Sequence, residues 1–278
     1  SKWNNAKLQG ANLNNAYLGH GEMIGANLQG AKLRKANLEE VNLQYARLQK
    51  ADLTEAELYY TDFRGANLKE ANFENANLTN AFLQKIDLRY TNLKGANLTN
   101  AKLREADLLG VDLWGNNLQG SNLTNAKLRR VNAQYADFQD AYLEKANLQG
   151  AILYKANLTK AYLAGADLQG ANLERSNLEK ADLEGADLYY ANLKGANLKG
   201  ANLYNTELQG ANLRGAFLFK NDLLTGPRGA NFEGAIIEGI PYYDTSLQPD
   251  EISSDEVVEM VGYDEGDVSA LSGLGCIL

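Results

Sequence analysis

A single five-residue metre runs through this chain from Ala6 to Thr225 without gaining or losing a residue, and it restricts the fold more than any other feature. Of its 44 pentads, 39 carry Leu at the third position; the exceptions are Met23, Phe63, Phe73, Ala133 and Phe138. Ala fills the first position in 32, Asn or Asp the second in 30, and 16 of the 18 glycines in this span stand at the fifth. The beat is clearest in ANLKG-ANLKG-ANL, residues 191–203.

Neither regular element tolerates such a metre. A strand alternates faces at every residue, so each pentad would carry its Leu to the opposite side. A helix turns about 100° per residue, which moves the Leu column by roughly 140° per pentad. A short extended step followed by a bend, repeated once per pentad, keeps every Leu on one side. Gly at the fifth position supplies the dihedrals of the bend, and Asn or Asp can bond its own nearby backbone. Stacked coils of such a chain pair in parallel, about 4.8 Å apart. The chain reads as an all-β solenoid.

These pentads resemble the pentapeptide-repeat family, whose pattern is A(N/D)LXX, over residues 1 to about 240. The resemblance implies a right-handed quadrilateral parallel β-helix with four pentads per coil, about 11–12 coils, and Leu pointing inward at the centre of each side. That hand agrees with the general preference of parallel crossovers. At strand spacing the rod is on the order of 50 Å long. The resemblance also implies a cyanobacterial-type binding or regulatory module without catalysis.

The organisation follows from where the metre holds. Residues 1–243 form the β-helix, interrupted by the insertion Gly226-Pro227-Arg228-Gly229 at 226–229. Residues 244–262 read as a C-terminal cap with a helix at about 254–261. There Ser253 and Glu256 make a capping box, and Ile252 and Val257 a hydrophobic staple. Residues 263–278 read as a flexible acidic and apolar tail. At the other end Trp3 occupies a Leu slot with no evident cap before it: truncation of an upstream segment is the leading expectation, and shielding by Trp3 or end-to-end pairing with a second copy are the alternatives.

Within the rod, large and small residues offset one another. Val131 is large at a small position, Ala133 is small at a large one, and Phe138 follows one pentad on. Phe63 and Phe73 fall on opposite walls and are expected to meet across a core that side chains fill, leaving no room for a ligand. All 12 tyrosines between residues 6 and 225 occupy positions two, four or five, where a phenol reaches water.

The chemistry of catalysis is missing from this composition. One His (His20) and one Cys (Cys276) form no dyad and no zinc set, and one thiol makes no intramolecular disulfide. No Gly-rich phosphate loop occurs, and Asp264, Glu265 and Asp267 lack calcium-loop spacing. No catalytic, cofactor-binding or metal site is expected; His20 reads as an exposed corner residue. No apolar run reaches membrane-spanning length. A cytoplasmic location is the expectation, with a removed targeting segment left open.

What remains is the outer surface. Counted in twenties, the candidate protein-binding patch spans a corner, with Lys127, Arg129 and Arg130 on one wall and Trp114, Tyr135 and Tyr154, with Ile152, on the next. A second candidate is the pair Tyr142 and Tyr162, and a further basic set is Lys32, Arg34, Lys35, Arg47 and Lys50. Exposed aromatics beside Arg are enriched at interfaces; the alternative is that they only ladder between coils. The leading reading is a non-enzymatic scaffold or regulatory module that binds a protein partner, with no nucleic acid and no membrane. A second is a DNA-mimic inhibitor of a type II topoisomerase, as in the quinolone-resistance branch of the family. Duplex DNA carries a charge every 1.7 Å or so, so a rod of about 50 Å needs about 30 negative charges to imitate it. Residues 6–225 hold 25 Lys and Arg against 24 Asp and Glu, whereas residues 226–278 hold one Arg and 11 acids. A third reading makes the chain a carrier whose C-terminal tail, with Cys276, is recognised or modified by a partner.

Overall fold

The computed structural model describes residues 2–219 and 242–243. The second residue of a pentad pairs in parallel with the residue twenty positions on, from Lys2↔Glu22 to Asn197↔Phe217. Strand β1 (Leu218–Phe219) continues the stack by pairing in parallel with β2 (Tyr242–Tyr243). Four pentads therefore make one coil, and the rod has four walls. The first wall carries the pentads that begin at residues 1, 21 and 41, the second those at 6, 26 and 46, the third those at 11, 31 and 51, and the fourth those at 16, 36 and 56.

The preference for Asn or Asp follows from where the backbone donors go. Leu8 N–H donates to the Asn27 carbonyl at 2.8 Å, Gly10 N–H to Gln29 at 2.9 Å, and Asn27 N–H back to Ala6 at 2.9 Å. Ala11 N–H closes the corner on the Leu8 carbonyl at 3.1 Å. Those bonds occupy positions three, five, two and one. The fourth N–H has no main-chain partner, and a buried or half-buried donor needs one. The Asx side chain two residues earlier accepts it, as in Gln29 N–H to Asn27 Oδ1 at 3.2 Å. Where the second residue is Glu22 or Lys32, an Asn one coil earlier does so instead: Ile24 N–H bonds Asn4 Oδ1 and Arg34 N–H bonds Asn14 Oδ1, each at 2.9 Å.

Every fifth position from Asn5 to Gly215 has a positive φ, between 53° and 72°. The sequence assigns this bend to Gly, yet 27 of these corners hold other residues, Lys, Tyr, Glu and Arg among them. The left-handed conformation costs an L-residue about 1–2 kcal/mol, and the repeated coil-to-coil bonds impose it. At Gly95 a Cβ would run into Asn75 Oδ1 unless that side chain turned away.

The leucines and alanines from Met23 to Leu218 form one buried column. Phe63 and Phe73 meet edge to face across it, 5.9 Å between centroids and 88° apart, as their spacing predicts. Val131, Ala133 and Phe138 are all fully buried. Polar residues in the Ala slot bond main-chain carbonyls: Thr61 Oγ1 donates to Leu38 at 2.8 Å, and Asn116 Nδ2 to Leu93 at 2.7 Å. In the first coil Leu8, Leu13 and Leu18 are only partly covered and Trp3 is exposed. Among the described residues the ladder skips Asn67–Asp87 and Asn92–Asp112. Ile86, Thr91 and Val111 stand in Ala slots beside those gaps, and the Ile86 corner bond to Leu83 stretches to 3.4 Å. The insertion at 226–229, the helix expected at 254–261 and the tail with Cys276 lie outside the described residues.

Candidate protein-binding walls

The twenty-residue register decides which surface residues become neighbours. On the third wall it places Trp114, Tyr135 and Tyr154 in a chain of rings. The Trp114–Tyr135 and Tyr135–Tyr154 centroids are each 5.8 Å apart, at 62° and 85°. Trp114 and Tyr135 are about half exposed, at 54% and 47%, and Ile152 lies on the same wall with 38% of its surface open. Such edge-to-face packing adds about 0.5–1.5 kcal/mol per pair beyond burial, which holds the rings as a preformed surface.

The cations of the patch stand one wall away from its rings, as the twenty-residue count implies. Lys127, Arg129 and Arg130 lie on the second wall, and Lys127 is drawn to Asp107 at 3.4 Å. Among the described residues no ring contact joins these three to the aromatics. The cation over the rings is Lys155, 5.6 Å from the Tyr135 centroid and 5.4 Å from that of Tyr154. Arg175 then donates to the Tyr154 hydroxyl at 3.4 Å. Sequence reading missed both, although the signal was present: Lys155 is twenty residues past Tyr135, and Arg175 twenty past Lys155.

The second candidate is brought together as its spacing implies. Tyr142 and Tyr162 stack on the first wall at 4.8 Å and 9°, each about 42% exposed. The basic set at 32–50 is largely neutralised. Arg34 approaches Asp52 at 3.4 Å and Glu55 at 3.9 Å, Lys35 meets Glu55 at 3.3 Å, and Lys50 meets Glu70 at 3.7 Å. Asp52 is held below the ordinary carboxylate range. Burial works to raise its pKa, but hydrogen bonds from the Thr54 hydroxyl and N–H, with Arg34, outweigh that. At Asp87 the leading cause is the Arg89 side chain, whose Nη2 donates at 2.7 Å and keeps the carboxyl well below its usual value. His20 faces Glu40 at 3.0 Å on an open corner. Among the described residues no cluster of three or more His, Cys, Asp or Glu side chains is arranged to hold a metal ion.

Comparison with known proteins places this geometry. A family model described as pentapeptide repeats matches in eight copies, over residues 56–95, 83–115, 106–144, 141–179 and 181–218. A second, described as a pentapeptide repeat region, matches residues 1–73. Among curated proteins there is no match. Among solved structures the chain is similar to HetL of the cyanobacterium Nostoc sp. strain PCC 7120, a protein involved in heterocyst differentiation regulation. Identity is 34% over 85% of this chain and 91% of that one, with a TM-score of 0.36. A thylakoid-lumen pentapeptide repeat protein of Arabidopsis thaliana is 32% identical over 39% of this chain and 69% of its own, with a TM-score of 0.29. The plasmid-mediated fluoroquinolone resistance protein QnrB1 is 18% identical over 72% of this chain and 93% of its own, with a TM-score of 0.35.

Proposed function

The chain belongs to the pentapeptide-repeat family, and from that premise we propose that it is a non-enzymatic module that binds a protein partner through its third wall. The observation that carries this reading is the ring chain Trp114–Tyr135–Tyr154 with Lys155 over two of its members. Rigid aromatics lose little conformational freedom on binding, and Trp, Tyr and Arg dominate the centres of interfaces. The solenoid beneath fixes the rings, so side chains on a wall can vary without disturbing the core. A partner that covers these rings with apolar or carboxylate-bearing side chains meets both the apolar faces and the cations at their edge.

Affinity capture from the source cell tests this directly. The full chain with Trp114→Ser and Tyr154→Ser should lose its partner by about tenfold or more, as expected for two central aromatics. A control with Tyr17→Ser and Tyr45→Ser, both exposed and remote from the ring chain, should keep it. Equal retention by both variants would remove the third wall as the site. The charge balance of the rod speaks against a DNA mimic, and a supercoiling assay in which the chain inhibits a type II topoisomerase would replace this reading with that one. An end-to-end homodimer through the half-covered first coil is a separate proposal, read out by molar mass in solution.

A further inference from the structure

Charge is unevenly shared among the walls of the last coils. Between residues 151 and 215 the third wall carries Lys155, Arg175, Lys194 and Arg214, and the fourth carries Lys160, Lys180 and Lys199. Only Glu174 and Glu179 accompany them on those two walls. Over the same stretch the first and second walls carry Asp167, Asp182, Glu184, Asp187 and Glu207 and no Lys or Arg. The rod is neutral along this length and strongly polarised across it. The basic half adjoins the ring chain at Tyr154.

Strand β2 places the departure of the chain against this half. Tyr242–Tyr243 pairs with Leu218–Phe219, which continues the fourth wall. The 35 residues that follow Tyr243 contain nine Asp or Glu and neither Lys nor Arg, with Val257, Val258, Met260 and Val261 interspersed. We propose that residues 244–278 dock in cis on the third and fourth walls of coils 151–215, with their carboxylates against that half's cations and their apolar residues toward Tyr154 and Ile152. This goes beyond the partner-binding reading and stands on the charge separation rather than on the ring chain. Length is no obstacle. From β2 to the coil of Lys155 is four coil steps, about 19 Å at strand spacing, whereas 35 extended residues reach more than about 110 Å. Opposite potentials on tether and wall favour the encounter and weaken with salt.

Carbodiimide coupling of the full chain tests it, using an equal mixture of isotopically labelled and unlabelled protein and mapping the linked peptides by mass spectrometry. The expected result is coupling of carboxylates from residues 244–267 to Lys155, Lys194 or Lys199 within single chains, reduced about fivefold or more in about 0.5 M salt. Arg175→Glu with Arg214→Glu leaves every reactive lysine in place and should lower that yield about fivefold. Absence of these links would overturn the proposal, as would a yield indifferent to both salt and the arginine reversals. Links joining labelled to unlabelled chains would make a second copy the occupant and overturn docking in cis. Loss of cellular capture by Trp114→Ser alone, a substitution outside coils 151–215, bears on the ring chain and not on this docking.

Discussion

The basic stretch at residues 32–50 and the one at 155–214 use the same residue types on the same scaffold, yet their surroundings are opposite. Arg34, Lys35 and Lys50 each find a carboxylate eighteen to twenty-one residues on, in the next coil. In the later stretch Lys155 lies over two tyrosine rings, Arg175 reaches a tyrosine hydroxyl, and Lys199 lies over the Phe217 ring. Density of basic residues along the sequence does not separate the two. What separates them is the identity of the residue one coil away. The first stretch is a largely ion-paired surface; the second, apart from the Lys180–Glu179 pair at 3.5 Å, presents cations beside aromatic rings.

The comparison assumes one continuous core beneath both stretches. Leu38→Ala under the first and Leu173→Ala under the second, each fully buried, should both cost about 2–5 kcal/mol in chemical denaturation. A much smaller cost at one of them would mean that the two regions do not share a scaffold. A smaller effect sharpens the contrast in charge. Glu55 receives both Arg34 and Lys35. Glu55→Lys should therefore lower stability by about 0.5–1 kcal/mol, the upper range for exposed pairs, while Glu174→Lys should change it by less. Thermal unfolding at low salt compares them, and the difference should shrink as salt is added. The smallest effect is a dependence on acid. The Asp52 carboxyl is depressed in the folded protein, so its contribution is fully present above the unfolded value of about 4 and disappears as pH falls through the folded value. Asp52→Asn should flatten the loss of stability below about pH 4. An unchanged acid-unfolding profile would show that its hydrogen bonds contribute nothing.

Much of this was legible from the sequence because a fixed metre leaves a single inside. The Phe63–Phe73 contact, the Tyr142–Tyr162 stack and the outward tyrosines follow from counting in fives and twenties. The corners were read less well. Gly marks the left-handed position when present, but Lys155 and Tyr135 adopt it too, imposed by bonds to neighbouring coils rather than by local preference. Lys155 and Arg175 were overlooked for a related reason. Lys127, Arg129 and Arg130 are near Tyr135 in sequence, whereas Lys155 is near it in the stack. Wall position outranks chain proximity throughout this molecule.

Inserting one extra pentad, a copy of residues 96–100, after Asn125 tests that principle most directly. The account predicts a chain that still melts cooperatively, because every pentad remains in metre. Trp114 and Tyr135 are then moved to different walls, so the near-ultraviolet circular dichroism of the aromatic contact and the captured partner should both be lost. An unfolded chain would contradict the equivalence of pentads. A folded chain that keeps the aromatic signal and its partner would contradict the claim that the twenty-residue register builds the surface.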